Sequence, residues 1–257
     1  MNDLFSLQGR VALVTGGSRG IGRMIAAGYL RQGAARVYIT ARKAEQCAAT
    51  AQELSKPGGE CIPLPCDIST MEGTKALAAE IGKREKSLDI LVNNAGAAWG
   101  EPFDTFPEKG WDKVVDLNMK TPFFLTQALH GLLKAAAKDR PAKVINVASI
   151  DGISVNPWET YSYTASKAGL IHLTKRMALR LAQDNIIVSG IAPGPFPSEM
   201  NKEARDHGDE VAGHVPAGRI GRDDDMAGVA IYLASRAGDY VLGETIAVDG
   251  GVTIARG

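Results

Sequence analysis

Tyr163 and Lys167 stand four residues apart in Tyr163-Thr164-Ala165-Ser166-Lys167, early in a segment with the apolar spacing of a helix. On a helix that spacing puts a phenol and an ammonium on one face, one turn apart. A free phenol titrates at about 10, too high for fast proton exchange at neutral pH, and a neighbouring cation lowers that value by favouring the phenolate. The pair reads as a proton donor and acceptor with its tuning group. Tyr161 is a control within the same segment, since four residues on from it is Ala165. Ser149 closes an apolar run fourteen residues before Tyr163. Open α/β sheets bind ligands at the carboxyl ends of their strands, so its hydroxyl is placed to donate to a substrate oxygen on which negative charge grows. Taken singly, Ser149 reads equally as a strand-end cap.

Upstream, Thr15-Gly16-Gly17-Ser18-Arg19-Gly20-Ile21-Gly22 joins an apolar run to a helical segment. Glycines let a backbone turn sharply and approach a pyrophosphate, while the free N–H groups at the helix start favour its charge. Gly16, Ser18, Arg19, Gly20, Ile21 and Gly22 are thus expected to bind a dinucleotide. Proteins that bind NAD place an acid after the second strand to hold the ribose 2′-hydroxyl. Here Ala41 stands where that acid would be, and Arg42 follows it. Arg19 and Arg42 suit a 2′-phosphate, which predicts NADP(H) over NAD(H).

The elements that must position these residues are short, apolar, β-branched runs alternating with helix-patterned segments. Val11 to Thr15, Arg36 to Thr40, Cys61 to Asp67, Asp89 to Ala95, Lys143 to Ser149, Ile186 to Ile191 and Glu244 to Asp249 read as strands. They are continuous rather than alternating in polarity, as strands covered on both faces are. Between them Arg23 to Gln32, Ala44 to Leu54, Thr74 to Arg84, Trp111 to Ala137, Tyr161 to Gln183 and Asp223 to Ser235 carry apolar positions three and four apart. The predicted fold is a single doubly wound α/β domain over residues 1–257, a Rossmann fold with a seven-stranded parallel sheet flanked by helices. Pro57-Gly58-Gly59 is turn-length, not a linker. Residues 193–222 lack periodicity and are rich in Pro, Gly and charge, as a loop over a substrate site would be.

Lys plus Arg and Asp plus Glu both number 29 among 257 residues, so no overall field draws the chain to nucleic acid or to anionic membrane. A small-molecule partner is expected. Cys47, Cys61 and Cys66 show no CxxC spacing, and His130, His172, His207 and His214 no paired ligand spacing, so no catalytic metal is expected. Met1 to Leu7 has no basic stretch leading into an apolar one, and no membrane-length apolar run occurs, which predicts a cytoplasmic protein.

With TGxxxGxG after the first strand, Asn93-Asn94-Ala95-Gly96 after the fourth, Ser149, and YxxxK, in that order, the chain resembles the short-chain dehydrogenase/reductase family from Gly9 to Gly251. The resemblance implies that Asp67 and Ile68 cradle the adenine, though a helix N-cap, with Ser69 as the other candidate, competes for Asp67. It implies that Asn94, Ala95 and Gly96 pass close to the cofactor, that Lys167 reaches the nicotinamide ribose, and that Asn118 completes a catalytic set with Ser149, Tyr163 and Lys167 by pinning a water. Pro193 and Gly194 match the turn beside the nicotinamide, and Ser198 falls where a Thr often contacts the amide or pyrophosphate. Pro195 and Pro197 depart from that pattern. The Ser-Arg-Gly turn, Thr40-Ala41-Arg42 and the 192–198 segment look most like bacterial NADPH-dependent 3-oxoacyl reductases, including the rhamnolipid-associated branch. Reduction of a ketone, including a 3-oxoacyl thioester, is the expectation; oxidation of a polyol, sugar or other secondary alcohol is the alternative, and an NADP(H)-sensing protein without catalysis the other. Trp99, Ile150, Trp158, Phe196 and Met200 are expected to line the substrate pocket, and the helices from Trp111 and Tyr161 to pair in a homo-oligomer, a tetramer or dimer.

Overall fold

The computed structural model describes residues 4–55 and 59–255. Met1 to Asp3, Pro57 and Gly58 lie outside them. In chain order the elements are β1 (Val11–Val14), α1 (Gly20–Arg31), β2 (Arg36–Ala41), α2 (Ala44–Leu54), β3 (Glu60–Pro65), α3 (Met71–Arg84), β4 (Ile90–Asn93), α4 (Glu108–Val115), α5 (Thr121–Ala136), β5 (Ala142–Val147), α6 (Tyr161–Leu181), β6 (Ile186–Pro193), α7 (Lys202–Asp206), α8 (Gly208–Ala212), α9 (Asp223–Ala234), β7 (Thr245–Val248) and α10 (Val252–Ala255). The strands form one parallel sheet in the order β3-β2-β1-β4-β5-β6-β7. The order reverses between β1 and β4, and the crevice at such a reversal is where doubly wound sheets take ligands.

Strand residues alternate between the two faces. Ala12 and Val14 join Ile25, Tyr29, Ile39, Val92 and Ile145 in the core beneath α1 and α9. Val11 and Leu13 join Leu77, Ile81, Leu91, Leu125, Leu129 and Val188 in the core beneath α3, α5 and α6. Both faces are covered, which is why the strands read as unbroken apolar runs. β3 lies at the edge and carries Pro63 and Pro65. The backbone N–H groups of Glu60 and Cys66 donate to the carbonyls of Ala35, just before β2, and Ala41, its last residue, so residues 61, 63 and 65 point their nitrogens outward, where proline removes no ladder bond.

Two expectations change. The segment read as one helix from Trp111 is α4 and α5 joined through a π-helical turn, Asp116–Lys120, and it begins earlier, at Glu108. Such a turn widens the helix by one residue and is concentrated at functional sites. The 193–222 stretch is not without structure, since it holds the short helices α7 and α8. Among the described residues, no helix is long and apolar enough to cross a membrane.

Candidate active site

A cavity of about 820 Å³ opens at the carboxyl ends of the strands. Its floor is the glycine turn. Gly16 and Gly20 take positive φ angles of 65° and 51°. A Cβ on Gly22 would lie 2.4 Å from the Gly16 carbonyl oxygen and 2.5 Å from Asn94 Nδ2, so only glycine fits there. Thr15 knits this turn to the next: its hydroxyl donates to the Val92 carbonyl and accepts the N–H groups of Asn94 at 2.9 Å and Ala95 at 3.0 Å. Asn94 Nδ2 donates back to the Thr15 carbonyl at 2.8 Å. No side chain caps the start of α1, leaving its first N–H groups to face the cavity.

Gly16, Ser18, Arg19, Gly20, Ile21 and Gly22 line one end, with Ala41, Arg42 and Lys43 beside them. Arg19, Arg42 and Lys43 are exposed, and none makes an ion pair among the described residues. Asp67 and Ile68 line the same end. Asp67 accepts the Ser69 N–H at 3.0 Å, and its hydrogen bonds with Ser69 hold its carboxyl below the usual range. Neither residue caps α3; Thr70 does, accepting the Gly73 N–H at 3.0 Å. A dinucleotide with a 2′-phosphate fits this end: a glycine cradle that any Cβ would fill, a free helix start and three unpaired cations.

At the other end Ser149, Tyr163 and Lys167 share the lining with Ile150, Trp158, Pro193, Gly194, Phe196, Ser198 and Met200. Gly194 lies so close to Asp249 that a Cβ would approach its Cα to 2.6 Å, and Ser198 sits over Gly20, where a Cβ would lie 3.1 Å from its own. The 193–203 stretch therefore closes on the glycine turn despite Pro195 and Pro197. Ile150 and Phe196 are buried, whereas Trp158 and Met200 stand at the exposed lip.

Lys167 does not lower the Tyr163 phenol as its spacing suggests. Loss of solvent pushes Tyr163 up to about 12, Asp151 adds to the rise, and a hydrogen bond with Ser149 draws it partly back. Lys167 is itself brought down to about 8 by burial, and its ammonium donates to the Val147 carbonyl at 2.8 Å while lying 5.7 Å from the Tyr163 ring centre. Loss of solvent is the largest cause of both shifts.

Asn118 and Trp99 do not line the cavity. Asn118 is fully buried in the π turn, donating to the Ala97 carbonyl at 2.9 Å and to Ser166 Oγ at 3.1 Å and accepting the Ala97 N–H at 2.8 Å. Ser166 in turn donates to the Tyr163 carbonyl at 2.8 Å. A Cβ on Gly96 would lie 3.2 Å from Asn118 Oδ1 and 3.7 Å from Lys167 Nζ, so Asn118 backs the stretch of cavity wall that Gly96 and Lys167 form. Trp99 turns away onto Gly110 of α4, with Lys113 over its ring. Sequence reasoning passed over Thr15, Lys43 and Asp151. Lys43 was legible as a second cation beside Arg42; the other two emerge only once the turns are folded together.

The short chain dehydrogenase family matches residues 10–209. A rhamnolipids biosynthesis 3-oxoacyl-acyl-carrier-protein reductase of Pseudomonas aeruginosa is 46% identical over 98% of this chain and 99% of its own. A 2-dehydro-3-deoxy-D-gluconate 5-dehydrogenase of Dickeya dadantii is 38% identical over 97% of each chain. The solved Pseudomonas aeruginosa RhlG/NADP active-site complex superposes with a TM-score of 0.93 at 46% identity, covering 98% of this chain and 100% of that one. With its glycine turn, its parallel sheet and this extent of likeness, the chain belongs to the short-chain dehydrogenase/reductase family of oxidoreductases.

Proposed function

We propose that the protein is an NADP(H)-dependent reductase of ketones, 3-oxoacyl thioesters among them, working as a cytoplasmic homo-oligomer, a tetramer or dimer. The observation that carries this reading is one cavity lined at one end by the glycine turn and unpaired cations and at the other by Ser149, Tyr163 and Lys167.

Gly16, Ser18, Arg19, Gly20, Ile21 and Gly22 would hold the pyrophosphate, Arg19, Arg42 and Lys43 the 2′-phosphate, and Asp67 and Ile68 the adenine. Asn94, Ala95 and Gly96 would form the floor, Pro193, Gly194 and Ser198 the nicotinamide side, and Lys167 the ribose contact. The nicotinamide supplies the hydride when bound. Ser149 donates to the carbonyl oxygen and holds it beside Tyr163. A phenol held up to about 12 remains protonated throughout the neutral range, so Tyr163 gives its proton to that oxygen as charge builds on it. Asn118 acts through Ser166 on the Tyr163 backbone and keeps the start of α6 in place. The oligomer reading rests on α4 and α5, which present Trp111 and Phe123 to the surface; light scattering showing a monomer removes it.

The identity with a 3-oxoacyl reductase favours the thioester. The 38% identical 2-dehydro-3-deoxy-D-gluconate 5-dehydrogenase favours a second reading, oxidation of a sugar acid. Steady-state assays with NADPH and NADH on 3-oxoacyl-carrier protein, 3-oxoacyl-CoA, small ketones and sugar acids decide between them. Turnover of the oxoacyl substrates with NADPH is expected. Activity confined to sugar acids overturns the acyl reading, and equal efficiency with NADH overturns the cofactor.

A further inference from the structure

On the wall that α4 and the π turn give the cavity, Lys113 and Leu117 stand one turn apart, and both line it together with Ala97, Ala98 and Trp158. The wall is held from behind. Asn118, the next residue, grips Ala97 through its carbonyl at 2.9 Å and its N–H at 2.8 Å. Gly110, one turn before Lys113, seats the Trp99 ring so closely that a Cβ would lie 2.8 Å from it. The Lys113 ammonium rests 5.2 Å from the centre of that ring. Lys113 is exposed and, among the described residues, makes no ion pair and no hydrogen bond. A cation over a ring at an exposed site is held lightly, and its three N–H donors remain free for a stronger partner.

The other charged groups in the lining are placed differently. Arg19, Arg42 and Lys43 sit at the turns after β1 and β2, which the cofactor reading assigns to phosphates. Lys167 donates to the Val147 carbonyl, and Glu199 is paired with Arg205. Asp151 is anchored in the turn after Ser149, while Lys202 and Glu203 begin α7. Lys113 brings a cation to the cavity from the α4 side.

We propose that Lys113 is a specificity-determining residue, the contact for an anionic group that the substrate carries away from its reacting carbonyl. This rests on the oxidoreductase reading of the cavity and serves both substrates weighed there: an acyl thioester bears phosphate on its carrier arm, and a sugar acid bears a carboxylate. In either case the ammonium exchanges a ring for an oxyanion and gains charge-assisted hydrogen bonds, an effect of about tenfold at a wall open to solvent.

Two substrate pairs separate the sources of that anion. Acetoacetyl-CoA is compared with acetoacetyl-N-acetylcysteamine, the same thioester without phosphate, and 5-ketogluconate with its methyl ester, each with NADPH. Lys113→Met keeps the reach of the side chain and removes its charge, Lys113→Gln stands in should that variant misfold, and Lys113→Arg keeps the charge. In at least one pair Lys113→Met should lower the charged-to-neutral ratio of kcat/KM about tenfold, through KM, while Lys113→Arg retains most of it. Raising the salt should shrink the wild-type ratio more than that of Lys113→Met. Equal losses on charged and neutral substrates mark a packing role against Trp99 and overturn the proposal, as does an unchanged ratio in both pairs. If no ketone turns over, the reductase reading fails, and calorimetric titration of phosphopantetheine and gluconate into the NADP+-bound protein still judges Lys113. There, about tenfold weaker binding of either by Lys113→Met supports the proposal, and equal or undetectable binding by both proteins overturns it.

Discussion

Removing one oxygen from Tyr163 tests the chemistry most directly. Tyr163→Phe should lower kcat by about 1000-fold, within the range general acids contribute, while the NADPH dissociation constant, read by fluorescence titration, changes less than about twofold. Arg42→Ala should cut the NADPH-to-NADH ratio of kcat/KM by about tenfold or more, because an exposed unpaired guanidinium at that corner has a 2′-phosphate as its natural partner. Lys167 carries a cost of its own. Folded, it gives up its proton near 8, whereas an unfolded lysine keeps it to about 10.4, so burying the charge destabilises the fold below pH 8, and the penalty fades as pH climbs from 8 to 10.4. Lys167→Met should abolish turnover and raise the unfolding free energy by about 1 to 3 kcal/mol at pH 7, with the gain shrinking by pH 10 in denaturant titrations. The placement of Ser149, Tyr163 and Lys167 in one cavity was legible from spacing and strand order. The direction in which Tyr163 moves was not, because spacing reports a neighbouring charge but says nothing of the water taken away.

At the level of elements, the π turn Asp116–Lys120 is what turns Asn118 inward, and its three side-chain hydrogen bonds serve the Ala97 backbone and Ser166. Asn118→Ala should destabilise the fold by about 2 kcal/mol, read from denaturant midpoints, since it leaves buried backbone groups unpaired. The seven strands were readable to within a few residues, because a sheet covered on both faces demands continuous apolar runs. The break after Val115 was not: a one-residue widening leaves the apolar pattern of α4 and α5 nearly intact. Trp99 was placed in the pocket by its nearness to Asn94 in sequence, but Gly110 offers its ring a flat seat on α4, and packing decided the direction. The helices α7 and α8 are too short to carry a periodic signal.

Across the whole molecule, the charge buried far from the cavity is concentrated at the opposite, amino end of the sheet. Arg10 pairs with Asp89 at 3.1 Å, and Lys143, 1% exposed, with Asp239 at 2.7 Å. Asp239→Asn should cost about 2 kcal/mol or more of stability in urea titrations by stranding a buried ammonium. The kcat of the folded protein should stay within about twofold, since β5 runs its full length between Lys143 and Ser149 and additivity holds for distant sites. The edges of the sheet bear on a different hazard, assembly of partly unfolded chains into aggregates. Pro63 and Pro65 delete two donors along the outer side of β3, and β7 at the far side offers only four residues, Thr245–Val248. A strand from a second molecule finds no continuous ladder on β3 and only a short one on β7, so on heating or crowding the sheet is a poor template for its own polymerisation.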